Sequence, residues 1–128
     1  MSTLQVGTIK SKSSAAPVFQ NSSGTEIGSL PKMWIFFDMN AGSIKDSLNV
    51  SSITDHNTGQ YSVTYTTAIS NDDYASLITT QAGLTAYGYG TGDNSQTTSA
   101  LVNIFTIVGS NGTTQDASCV SVAIFGDQ

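Results

Sequence analysis

Residues 60–67 read QYSVTYTT, with Tyr61, Val63 and Tyr65 set between Ser62, Thr64 and Thr66. A period of two belongs to a strand, whose successive side chains leave on opposite faces. The five residues in front, DHNTG, are polar and include Gly59, so the segments on either side form a hairpin with a short connection. Tyr61, Val63 and Tyr65 are expected to enter a core. Ser62, Thr64 and Thr66 are expected to face outward or toward a neighbouring subunit. A helical alternative has little to draw on. The chain holds one Glu and no Arg, whereas its 17 Thr, 19 Ser and 12 Gly suit strands, turns and loops.

The same rhythm recurs along the chain. MWIFFDM, after Pro31, reads as a strand bulky on both faces, its Trp34, Phe36 and Phe37 assigned to core or subunit interface. SIKDSLNVSSIT is marked by Ile44, Leu48, Val50 and Ile53, NDDY is a turn, and YASLITTQA is a further strand. YGYGTGDNSQTTS reads as a small, flexible stretch. ALVNIFTIV and SCVSVAIF are expected to form the last strand pair, joined through GSNGTTQDA. Roughly six or seven strands at this spacing predict an all-β fold, a compact antiparallel sandwich or jelly-roll-like body over residues 31–128.

Residues 1–30 differ. Their apolar pulses (Leu4, Val6 and Ile9; Val18 and Phe19; Ile27 and Leu30) are separated by Ser/Gly stretches. Each could make one short strand, but together they are too thin for a core. The segment is therefore expected to be an extended N-terminal arm that attaches or oligomerises through Leu4, Val6, Ile9, Val18, Phe19 and Ile27. Three identical chains wrapping together would supply the missing surface, which makes a homotrimer the expected self-association.

Composition narrows the functions. A formal net charge of −5 disfavours a nucleic-acid partner, because phosphate binding needs a basic face. Only 10% of residues are charged, with hydroxyls in their place, which suits a particle or extracellular surface. Cys119 is the single cysteine, so neither an internal disulfide nor a thiolate cluster is expected, and a buried or half-buried strand thiol is. MSTLQVGTIKSK lacks the apolar stretch of a signal peptide, so synthesis in a cytoplasm is expected. MWIFF is too short to insert into a membrane.

Three stretches invite chemistry. His56, in TDHNTG, could serve a Ser-His-Asp relay, but adjacent Asp55 is poorly placed to orient it, and a solvent-exposed turn residue is expected. Asp72 and Asp73 lack both the spacing of a calcium loop and a second acidic cluster, so they read as turn formers. YGYGTGDN lacks the Lys-Ser/Thr that completes a phosphate loop. Its Tyr87, Tyr89, Asp93 and Asn94 instead have the composition of an adaptable recognition loop. Neither catalytic nor metal-binding residues are assigned, and no cofactor is expected.

The residues gathered resemble a family of small virion proteins and fibre modules of tailed bacteriophages, above all marine and cyanobacterial ones. STLQVGTIKS is similar to the family leader STLKVxTIxS, and NSSGTEIG and KMWIFF continue the likeness. DSLNVSSITDHNTGQYSVTYTTAISNDDYA is its sharpest part, and VSVAIFGDQ resembles the closing strand. MWIFFDMNAGSIKDS and YGYGTGDN depart from the pattern. The resemblance implies a structural protein on the virion surface, of tail-fibre or fibre-tip type, without catalytic residues. Its expected partners are itself, other virion proteins (tail or major capsid protein) and a host surface glycan or protein. A head decoration protein that caps the capsid lattice is the alternative. A non-catalytic carbohydrate-binding module is the second.

Overall fold

The computed structural model describes residues 5–10, 17–82, 86–92, 99–108 and 113–126. Among these, every regular element is a β-strand and every pairing is antiparallel, in agreement with the all-β expectation. Within residues 17–30, β1 (Phe19–Gln20) and β2 (Glu26–Gly28) pair with each other. The remaining strands are β3 (Met33–Asp38), β4 (Ser43–Leu48), β5 (Val50–Asn57), β6 (Gln60–Tyr65), β7 (Tyr74–Ala82), β8 (Ala86–Gly92), β9 (Ala100–Val108), β10 (Thr113–Thr114) and β11 (Cys119–Gly126). They form one sheet in the order β4-β3-β11-β7-β8-β9-β6-β5, with β10 on β9.

The opening hairpin is present as β5–β6, but its connection is tighter than the five residues DHNTG. β5 runs on through Asp55, His56 and Asn57, with a register irregularity there, and Asn57 pairs with Gln60. Only Thr58 and Gly59 remain to turn the chain. Gly59 takes φ 73°, which a side chain would resist.

SIKDSLNVSSIT is not continuous either. Asn49 has φ 58°, the left-handed region that Asn tolerates better than most residues, and it breaks the segment into β4 and β5. These two strands lie at opposite ends of the sheet order, joined by that one residue. A sheet whose two ends are a single residue apart must curl back on itself.

The core confirms the curl. β3 supplies Met33, Ile35 and Phe37; β6 supplies Tyr61, Val63 and Tyr65; β11 supplies Val120, Val122 and Ile124. All nine are buried, each worth roughly 1.5–3 kcal/mol of transfer free energy. β3 and β6 are each second from an end of the sheet, yet the Phe37 and Tyr61 rings meet at 5.7 Å and Tyr61 Oη donates to the Met39 carbonyl at 2.7 Å. The alternation read at Tyr61, Val63 and Tyr65 is therefore the core pattern.

Two expectations are corrected. ALVNIFTIV and SCVSVAIF are both strands, but they do not pair: β9 lies between β8 and β6, and β11 between β3 and β7. β10 pairs back on β9, and the chain then passes to β11 in the other part of the sheet. YGYGTG, read as a flexible stretch, forms β8, hydrogen-bonded on both sides.

Candidate functional site

The β1–β2 hairpin is fixed by local polar bonds at its turn. Asn21 Oδ1 accepts from the backbone N–H of Ser23 (3.0 Å) and Thr25 (2.9 Å) and from Ser23 Oγ (2.7 Å), fixing the turn between β1 and β2. Among residues 5–30 apolar side chains are left uncovered: Val6, Ile9, Val18, Phe19 and Ile27 are 43–68% exposed. The pairing of Phe19 with Gly28 brings the second and third pulses together, whereas residues 5–10 form no strand. Leu4 lies outside the described residues. Where arm meets body, an open groove of about 490 Å³ is lined by Val18, Leu30, Glu26, Lys32 and Asn71, among others.

His56 is exposed, as expected, but it is a strand residue and not a turn residue. It stands on β5, and the register irregularity beside it lets its Nε2 reach across the ladder to Ser62 Oγ. Ser62, expected to face outward, is accordingly covered and 8% exposed. Asp55 does not complete a relay with His56. It pairs across the ladder with Tyr61 and acts on that phenol. Burial first, then Asp55, and then Asp116 and Asp38 push the Tyr61 pKa up to about 12. Tyr65 is also raised, by burial and by its 3.0 Å hydrogen bond to Tyr74 Oη.

Asp72 and Asp73 are exposed turn residues, with Asn71 Oδ1 accepting from Asp73 N at 3.1 Å. Among the described residues no three His, Cys, Asp or Glu side chains gather as metal ligands. Nor does any helix among them have the length and apolarity to cross a membrane. Cys119 is a free, half-buried thiol on β11.

The proposed recognition loop changes character. Tyr87 and Tyr89 belong to β8, between β7 and β9, so that part is a sheet position and not a loop. Asp93 and Asn94 lie outside the described residues. Compared with known proteins, the chain matches no protein family, no curated protein and no solved structure.

Proposed function

We propose that this chain is a structural protein of a tailed-bacteriophage virion, exposed on the particle surface and of tail-fibre or fibre-tip type. On this reading the body is a sandwich or jelly-roll-like unit, the arm joins it to two further copies as a trimer, and enzymatic chemistry has no part. The observation that carries the reading is the arm itself. It presents Val6, Ile9, Val18, Phe19 and Ile27 to solvent at 43–68% exposure, beside a body that has already closed its own core. Uncovered apolar side chains on a segment without a core are stabilised when a partner covers them. The likeness of STLQVGTIKS and DSLNVSSITDHNTGQYSVTYTTAISNDDYA to phage virion proteins supplies the kind of particle.

Quantifying the chain against the major capsid protein in purified particles tests this. A few trimers per particle are expected for a tail position. Near parity with the capsid protein would instead make it a head decoration protein, and its absence from particles would refute a virion role.

A further inference from the structure

The sheet has a second apolar surface, on the side away from the core. Cross-strand partners in an antiparallel sheet share a face. The register aligns Leu48 of β4 with Trp34 of β3, Trp34 with Ala123 of β11, and Ala123 with Leu77 of β7. The row is the outer one, because Met33, Ile35, Val122 and Ile124 on alternate positions are buried. Leu48 is 48% exposed and Leu77 60% exposed, with Trp34 and Ala123 half-buried between them. Phe36, 38% exposed, stands in the next row, opposite Asp46. Four adjacent strands thus carry a continuous apolar band that the chain's own body does not cover.

We propose that this band is the docking site for the N-terminal arm of a neighbouring copy, resting on the self-assembly reading above. The arm and the band are matched in kind, and each is left open by its own chain, since Ile9 and Ile27 are exposed in the same molecule that exposes Leu77. The arm and the body are also opposite in net charge. Residues 1–30 carry Lys10 and Lys12 against Glu26, a net of +1, whereas residues 31–128 carry Lys32 and Lys45 against eight aspartates, a net of −6. Lys10 directly follows Ile9 in the arm, and the exposed Asp46 borders the band. An arm laid across the band covers apolar side chains on both partners and brings unlike charges together. The contact is heterologous, arm onto sheet, so it closes into a ring of copies when its rotation permits.

Trp34 is the chain's single tryptophan and sits within the band, so its fluorescence reads the cover directly. The experiment follows full-length protein by sedimentation velocity and by acrylamide quenching of Trp34. It uses the parent, an arm variant (Ile9→Asp with Ile27→Asp) and a band variant (Leu77→Asp). All three positions are exposed, so far-UV circular dichroism should be unchanged. The parent is expected to assemble with Trp34 protected, each variant to sediment as a monomer with Trp34 quenched freely, and a mixture of the two variants to form pairs in which only the arm variant's Trp34, about half of the total, regains protection. An assembled parent with freely quenched Trp34 overturns this docking site and leaves self-assembly standing. An arm variant that still assembles with Trp34 protected overturns it too, because the bands would then be pairing with one another. A parent monomeric at every concentration refutes self-assembly, and the docking site with it.

Discussion

Asn49 is where the curled sheet is most open to a test. Its side chain closes the corner between the two ends of the sheet. Nδ2 donates to the Lys32 carbonyl and to the Thr67 carbonyl, both at 3.0 Å, and Oδ1 accepts from Thr67 N at 2.7 Å. Its own carbonyl accepts from Thr66 N at 3.2 Å, a bond that substitution leaves in place. The site is half-buried, so each of the three side-chain bonds is valued at the low end, about 0.5 kcal/mol. Replacing Asn by Ala also sets a less tolerant residue at φ 58°, at a cost of about 1–2 kcal/mol. Asn49→Ala should therefore destabilise by about 3 kcal/mol. With a urea m-value near 2 kcal/mol/M, the midpoint falls by roughly 1.5 M. Asn49→Gly loses the same three bonds without the steric strain, but adds about 0.5–1 kcal/mol of backbone entropy. It should fall between parent and Ala. Urea unfolding followed by far-UV circular dichroism at one fixed protein concentration decides it. An Ala variant within about 0.5 kcal/mol of the parent would refute the corner, and a Gly variant less stable than Ala would refute the strain.

Three further outcomes follow from the same geometry. A methyl group at Gly126 would meet Tyr74 Cβ at 2.7 Å, and Tyr74 Oη is tied to Tyr65 and to the Ala100 carbonyl; Gly126→Ala should cost about 1–3 kcal/mol, measured by the same unfolding assay. Tyr61 holds its proton up to about pH 12 in the folded chain against an ordinary value of 10.0, so above pH 10 the folded state binds more protons and stability must fall, by about 1.4 kcal/mol per pH unit for this group. Tyr61→Phe should be less stable than the parent at pH 8, through loss of the bond to Met39 O, yet decline less steeply between pH 10 and 12; equal slopes would contradict the assignment. Asp116 Oδ1 accepts from Gly59 N at 2.7 Å and so ties the β5–β6 turn to the chain between β10 and β11; Asp116→Ala should cost about 1–2 kcal/mol in urea unfolding.

The strands were legible where local pattern and core face coincide, as at Tyr61, Val63 and Tyr65, and in MWIFF, which does put bulk on both faces. Pairing was not, because it depends on residues whose effect is felt at a distance. Asn49 sits inside a run, LNVSS, that alternates plausibly as one strand, and the partners of its side chain, Lys32 and Thr67, are 17 and 18 residues away. Once it turns the chain, β4 and β5 become opposite ends of one sheet, and the simplest expectation, that neighbours in sequence pair in space, fails for β9 and β11 as well. β8 is illegible in the sequence for a different reason. YGYGTG is rich in Gly, which favours turns, and its two flanking strands impose the extended state on it. The candidate site divides the same way. The exposure of Val6, Ile9, Val18, Phe19 and Ile27 was readable, because residues 1–30 hold too few apolar side chains for a core. The outer band was not, since Leu48, Trp34, Ala123 and Leu77 come from four separate segments and form one surface only when the β4-β3-β11-β7 order sets them in register. The same order that buries one face of these strands therefore sets Leu48, Trp34, Ala123 and Leu77 side by side on the other.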